Sequence, residues 1–435
     1  MNITIIGLGY VGLVNAIFLA SLGNNIVGYD IDKNKISLLR EGVVPIEEYG
    51  LQDLLDKFHK NLRFTSNYKD SIRNADNIFI CVDTPSKEDG SVDLSHFYNV
   101  LDNIRNASNK DQNIIIKSTV PIGQNKLTKQ YLEKDSPYKY EIISFPEFLS
   151  QGKALEGLIN PYRLVFGVTS SNGVNVAKQI SKAYLTKKVP VMITSSENAE
   201  IIKYACNCFL ATKISYINNI SQLCKACGGD IKKVSKAMSY DPRIGSDFLN
   251  AGIGFGGSCF PKDTKALINI EENYGIDNSL LKSVIKINND QVTLFMNEFF
   301  SKFKRLSNLK IGILGVAFKG DCEDVRNSQA ISIMHSLLEK NAKLTVYDPL
   351  AMDNCEKLFS RHQHIKYVDY IDEVLKDTDV VFILNDCNEF KELKAYDFIS
   401  LMKKPIIFDG RNLFKLEDMI GTEYHSIGRN VVLIK

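Results

Sequence analysis

The chain has 435 residues, 44% hydrophobic and 24% charged, a balance that excludes a disordered chain and allows two to three domains. Fifty-three Lys and Arg against 51 Asp and Glu leave a net charge of +2, which argues against a nucleic-acid binder, because that task needs a basic excess. Met1 to Gly7 lacks the basic region and cleavage site of a signal peptide, and no apolar run approaches the ~20 residues of a bilayer span, so a cytoplasmic location without membrane contact is expected. Nine cysteines are too sparse, and odd in number, for a disulfide framework.

Asn2 to Gly7 is a β-branched run ending in glycine, Val11 to Leu22 reads as a helix, and Asn25 to Asp30 as a second strand: a βαβ unit. Buried strands are predicted at Asn77–Val82, Asn113–Lys117, Glu141–Ser144 and Leu164–Gly167, with helix-like stretches between them. That alternation implies a parallel, doubly wound sheet. At about Thr194 the texture turns helical. Thr194-Ser-Ser-Glu197 has the form of a capping box, and no strong breaker follows until Gly228-Gly229. A helix of ~30 residues would be ~45 Å long, which suits a domain connector or a dimer core.

Helical segments continue to about Phe303, broken by a glycine-rich loop at 252–257. Strand and helix then alternate again: strand Leu309–Leu314, helix Ser328–Lys340, and strands Leu344–Asp348, Asp379–Leu384 and Pro405–Asp409. The second series echoes the first, Ile-Gly-Ile-Leu-Gly matching Ile-Thr-Ile-Ile-Gly and Thr-Val-Tyr-Asp matching Val-Gly-Tyr-Asp. The fold class expected is α/β, with two Rossmann-like doubly wound parallel-sheet domains (1–193 and 305–435) joined by a helical central domain (194–304) that carries the long connecting helix.

Gly7-Leu-Gly9-Tyr10-Val11-Gly12 is a G-x-G-x-x-G turn between a strand and a helix. The first glycine permits the tight turn, the second lets backbone approach a pyrophosphate, and the third lets helix and strand pack closely. Asp30, at the end of the second strand, is placed to accept from a ribose diol and to repel a 2′-phosphate, so NAD is favoured over NADP.

The loop Gly252-Ile-Gly-Phe-Gly-Gly-Ser-Cys-Phe-Pro-Lys-Asp263 is the second informative stretch. Its four leading glycines are expected to bring backbone close to a ligand. Cys259, near Lys262 and dense backbone N–H, reads either as an activated nucleophile or as a small buried cysteine in a turn. A nucleophilic cysteine beside NAD suits oxidation of an aldehyde to an acid through a thiohemiacetal and a thioester. Cys206-x-Cys208 and Cys224-x-x-Cys227 look like ligand pairs, but 206 and 208 face different sides of a helix and no histidine is near, so no metal is expected.

The chain resembles the UDP-glucose 6-dehydrogenase family. The resemblance rests on Gly7–Leu13, Lys117-Ser-Thr-Val-Pro121, Pro146-Glu-Phe-Leu149, Asp241-Pro-Arg-Ile-Gly245, Gly254–Asp263, Phe318-Lys319 and Asp409-Gly-Arg411, in family order. It implies conversion of UDP-glucose, two NAD⁺ and water to UDP-glucuronate and two NADH. It implies NAD-binding, central and UDP-sugar-binding domains in that order, and a homodimer through the central helix.

By motif, the resemblance makes Cys259 the nucleophile, and Lys203 with Asn207, one helical turn apart, the stabilisers of an oxyanion. Asp263 would orient a water or relay protons. Thr119 would assist at the sugar hydroxyl or hold a water, and Glu147 would be an acid/base group or a water-positioning carboxylate. Around the substrate it places Glu147, Phe148, Leu149, Lys203, Asn207 and Asn250, the loop residues Gly254, Phe255 and Gly256, and then Phe318, Lys319 and Arg411. Arg243 would reach a partner subunit's site. Around NAD it places the glycine turn with Tyr10 and Val11, then Asp30, Lys35, Thr84, Thr119, Gln151, Lys262 and Arg326.

Two departures stand out. A second glutamate is expected four positions after Glu147, and this chain has Gln151, which binds but takes no proton. Asp83 stands before Thr84-Pro85 where a small or apolar residue is expected. Dehydrogenases of UDP-N-acetylmannosamine or GDP-mannose share the same machinery, and a catalytically silent nucleotide-binding scaffold is the reading from another class.

Overall fold

The computed structural model describes residues 1–184, 189–307, 309–360 and 362–433. The chain forms two compact units, one of residues 1–206 with 265–274, the other of residues 207–264 with 275–435.

The first unit holds strands β1 (Asn2–Ile6), β2 (Asn25–Tyr29), β3 (Leu62–Thr65), β4 (Asn77–Ile80), β5 (Gln112–Ile116), β6 (Tyr140–Ser144), β7 (Leu164–Val168) and β8 (Val191–Ser195), in the sheet order β3-β2-β1-β4-β5-β6-β7-β8. The first six are parallel. β7 runs antiparallel to β6, and β8 follows β7 in parallel, so the doubly wound core carries a reversed two-stranded extension. The central strands β1, β4, β5 and β6 are buried on both faces. Ile3 and Ile5, Phe79, Ile115 and Ile143 feed one core, while Ile6, Ile78 and Ile80, Ile114 and Ile116, and Ile142 feed the other. A period of two with apolar residues at every position requires helices on both faces.

The second unit holds β9 (Lys310–Leu314), β10 (Lys343–Tyr347), β11 (Ile365–Tyr367), β12 (Val380–Ile383), β13 (Ile406–Asp409) and β14 (Glu423–Ser426), all parallel, in the order β11-β10-β9-β12-β13-β14. This repeats the order of β1 to β6 and is the order of a dinucleotide-binding Rossmann sheet. The helix α1 (Tyr10–Ser21) follows the glycine turn, and α2 (Ser196–Cys227) is the long helix, 32 residues in one run. Its start is one residue later than the capping box suggested. Ser195 Oγ, not that of Thr194, accepts from the Asn198 N–H (3.3 Å), because β8 continues through Ser195. Its end is a Schellman turn: Gly228 is left-handed (φ +78°), and the Gly229 N–H donates to Cys224 O at 2.8 Å. In the second unit, the helix Ser279–Lys302 lays Phe295 and Phe299 on Phe382 and Phe408. Among the described residues no helix is long and apolar enough to cross a membrane.

Candidate active site

The cofactor turn is built as its spacing implies, with the three glycines required for different reasons. Gly7 is left-handed (φ +90°), and a Cβ there would stand 2.9 Å from Cys81 O. At Gly12 a Cβ would stand 1.8 Å from Gly7 O. At Gly9 it would meet nothing within 4 Å. The protein itself therefore needs Gly7 and Gly12, and the bare backbone at Gly9 serves something that approaches from outside. Gly9 is also the N-cap of α1 and offers no side chain to its first amides, which is where a diphosphate would sit. Asp30, 8% exposed, accepts from Leu8 N–H (2.8 Å) and Lys35 Nζ (3.1 Å) on one oxygen and from Asp32 N–H (2.9 Å) on the other. These residues fit NAD.

The second unit shows what the turn becomes without that ligand's demand. Gly315 is left-handed too, and its N–H donates to Tyr347 O as that of Gly7 does to Tyr29 O. Asp348 takes the place of Asp30, and its two oxygens accept from the amides of Val316, Ala317, Leu350 and Ala351 and from Asn385. Ala317 stands where Gly9 would be, and no helix opens until Gln329. The repeat is one of fold, without the phosphate cradle.

Beyond the turn in the first unit, Thr84 Oγ1 donates to Thr119 O at 2.8 Å, and the Tyr10 hydroxyl accepts from Gly152 N–H, next to half-buried Gln151. Half-buried Val11 carries its carbonyl to Asn15 Nδ2. Asp83 points to solvent.

Glu147 and Lys203, 56 positions apart, form a buried ion pair in this unit. Lys203 Nζ donates to Glu147 Oε1 (2.8 Å) and to its carbonyl (2.7 Å), and Leu149 N–H donates to Oε2 (2.6 Å). The two side chains are 5% and 10% exposed. Burial would raise Glu147, but the Lys203 ammonium and the Leu149 amide outweigh it, with help from Lys117, and hold the carboxyl below its usual range. Lys203→Ala is expected to cost about 3–5 kcal/mol in denaturant unfolding, because it strands a buried charge. Glu147 has a depressed folded pKa, so this loss is full above its ordinary 4.5 and fades as the pH falls below it.

A cavity of about 440 Å³ lies beside Glu147, lined also by Lys117, Phe148, Leu149, Lys153 and Arg163. That volume suits a small-molecule ligand. From sequence, Lys117 and Arg163 had no assigned role. Lys117 is 3% exposed, sits 3.8 Å over the Phe145 ring, and is pushed down to about 8 by its burial. Arg163 covers the Phe148 ring at 4.1 Å. The available signal was an ionisable residue directly after three buried isoleucines.

In the second unit Cys259 is half-buried and immediately precedes the helix α3 (Phe260–Asn273), whose positive end favours a negative sulfur. Asp263, 1% exposed, accepts from Asn207 Nδ2 on one oxygen and from Lys262 Nζ on the other, both at 2.6 Å. Asn207, Lys262 and Asp263 are thus one cluster.

The glycines ahead of Cys259 pack closely against the protein itself. A Cβ at Gly254 would stand 2.7 Å from Asn288 Oδ1, at Gly256 2.3 Å from Asn327 O, and at Gly257 2.9 Å from the Phe318 ring. On the side a Cβ would occupy, the room they save is taken by Asn288, Asn327 and Phe318. Arg411 holds the same loop, donating to Gly254 O, Phe318 O and Leu384 O. Phe255 is buried and Lys319 Nζ lies 5.8 Å from the Phe318 ring, while Asn250 is exposed. Arg326 forks onto Asp324, and exposed Arg243 forks onto Asp241. Cys208 is buried beside Asp263 O and Thr264, whereas Cys206 accepts from Arg163, so the two do diverge.

Residues 1–185 match the NAD binding domain of the UDP-glucose/GDP-mannose dehydrogenase family, 197–290 its central domain, and 312–416 its UDP binding domain. The chain belongs to the UDP-glucose/GDP-mannose dehydrogenase family. It is 38% identical to a UDP-glucose 6-dehydrogenase of Bacillus subtilis, across 100% of this chain and 99% of that one. A UDP-glucose 6-dehydrogenase of Rickettsia bellii is 39% identical over 99% of this chain and 100% of its own. Among solved structures, a UDP-glucose dehydrogenase from Pyrobaculum islandicum superposes with a TM-score of 0.91 at 31% identity, covering 99% and 98% of the two chains. A UDP-D-ManNAc dehydrogenase from Pyrococcus horikoshii gives 0.87 at 27%, covering 99% of each. In this dehydrogenase family member, the glycine turn and Asp30 lie in the stretch that matches the NAD binding domain.

Proposed function

We propose that the chain oxidises UDP-glucose to UDP-glucuronate, with two NAD⁺ and one water consumed. The observation that carries this reading is Cys259 at the head of α3, four residues before an aspartate already bonded to Asn207 and Lys262. An alcohol dehydrogenase has no need of a cysteine there, and an NAD-dependent aldehyde dehydrogenase does. The activity in the names of the Bacillus and Rickettsia relatives supports UDP-glucose as the sugar nucleotide.

NAD, when bound, accepts the hydride of each oxidation. Thr119 holds the sugar hydroxyl or a water. The Cys259 sulfur adds to the aldehyde carbon, and Lys203 and Asn207 donate to the oxygen that gains charge. Loss of a second hydride leaves a thioester on Cys259, which water opens. Gln151 cannot take the proton of that water. Glu147, kept ionised by Lys203 and Leu149, is assigned as the carboxylate that positions it, and Asp263 orients Asn207. The substrate and cofactor roles given above to the remaining residues, from Phe148 and Leu149 to Arg411 and from Lys35 to Arg326, are part of this proposal, as is the three-part division at 193/194 and 304/305.

The proposal includes a cytoplasmic homodimer joined through α2. Phe209, Tyr216 and Leu223 are 65%, 52% and 62% exposed and seven residues apart, which puts an apolar stripe along one face of the helix.

The test is the count of NADH formed per UDP-glucose with the sugar nucleotide limiting, read from NADH absorbance. Two per sugar is expected. A ratio of one, or no NADH from UDP-glucose while UDP-N-acetylmannosamine is oxidised, overturns the reading.

A further inference from the structure

The helix Gln124–Glu133 starts from Gly123, which is left-handed (φ +90°) and has no side chain to cap it. Its first amides are capped from a distance. Glu200 Oε2 accepts from Gly123 N–H at 2.6 Å, and Oε1 accepts from Asn125 N–H at 3.1 Å. Glu200 is 3% exposed and lies on α2, three residues before Lys203 and so on the same face. The segment that Glu200 grips, 117–123, carries Thr119, whose carbonyl is tied at its other side to Thr84.

We propose that Glu200 is a positioning residue, a carboxylate clamp that fixes the Thr119 segment to the turn of α2 carrying Lys203. The inference rests on the reading of Thr119 and Lys203 as active-site groups. One turn of helix then sets two registers at once: Glu200 holds the Thr119 segment, and Lys203 holds the Glu147 segment.

The clamp requires the ionised form. A carboxylate offers acceptors on both oxygens to two amides, whereas a protonated carboxyl turns one oxygen into a donor that faces an N–H. Burial pushes Glu200 up to about 7 in spite of the two amide bonds; the charge of Glu197 acts in the same direction and that of Lys126 against it. The clamp is therefore closed above neutrality and released below it. Because the folded pKa is raised, charging Glu200 works against folding as the pH climbs from 4.5 towards 7. Turnover should rise across neutrality without a matching gain in stability from this group.

Glu200→Gln keeps one acceptor and loses the other. In the full-length enzyme it is expected to lower kcat about tenfold or more at pH 8, with both KM values nearly unchanged, and to erase the ionisation near pH 7 from the kcat profile. Glu200→Asp, shorter but ionisable, should restore a pH limb at reduced kcat. Amide hydrogen exchange gives a readout without turnover. After correction for intrinsic rates, Gly123 and Asn125 should be better protected at pH 8 than at pH 6 in the parent, and poorly protected at both in Glu200→Gln. Superimposable pH profiles, or equal protection in parent and Glu200→Gln, overturn the clamp. If the parent does not oxidise UDP-glucose, the exchange result still decides the clamp, and the functional reading fails separately.

Discussion

A Cys259→Ala chain is expected to release at most one NADH for each UDP-glucose, where the parent releases two. The first oxidation makes an aldehyde and needs no covalent bond to protein. The second needs a hydride on the carbonyl carbon, which an aldehyde supplies once a nucleophile has added to it. Without the sulfur that addition falls to water, and the second oxidation should slow by up to about six orders of magnitude, the size of the loss when a protease's nucleophile is removed. A carbonyl reagent should trap the aldehyde in the variant and not in the parent. Burial pushes the Cys81 and Cys355 thiols up to about 12 and that of Cys322 to about 11, which disfavours their thiolates as replacements. A variant that still yields two NADH would remove Cys259 from the mechanism.

The parts of this site that could be read from sequence are those enforced by the local backbone. Gly7 and Gly12 announce themselves because one turn of chain requires both, and Asp30 because a strand ends there. A doubly wound sheet in each half follows from the alternation of buried runs with helices. What was hidden depends on residues distant in the chain. Nothing near Glu147 in sequence says that Lys203 will neutralise it, since the pair is closed by tertiary packing. Glu200 reads as an ordinary acidic residue in the first turns of a helix until Gly123 and Asn125 arrive beneath it. β3, β8, β11 and β14 are the edge strands of the two sheets, and β8 runs directly into α2, so their patterns merge with the neighbouring segments. The reversal of β7 was equally invisible, because a buried strand shows the same alternation in either direction. The glycines at 252–257 were legible as a site of close approach, but sequence could not say that the approaching groups are Asn288, Asn327 and Phe318.

Gly9 and Gly12 separate what the fold needs from what the cofactor needs, and opposite results are expected from the same substitution at the two positions. In Gly12→Ala the methyl would stand 1.8 Å from the Gly7 carbonyl oxygen. The oxygen belongs to a backbone fixed by its own turn, so the clash is relieved only by parting α1 from β1. A loss of about 3 kcal/mol is expected, seen as a lower Tm whether or not NAD is present. In Gly9→Ala the methyl meets nothing within 4 Å, and φ −67°, ψ −169° is open to alanine. The Tm should hold or rise slightly, since alanine narrows the unfolded ensemble. The methyl nevertheless fills the space through which a pyrophosphate reaches the α1 amides. Losing those contacts at about 2–3 kcal/mol raises the KM for NAD about 30- to 140-fold. Added NAD should then no longer raise the Tm as it does for the parent. If Gly9→Ala instead melts like Gly12→Ala, Gly9 is a folding glycine; if its KM for NAD is unchanged, the cofactor lies elsewhere than on this turn.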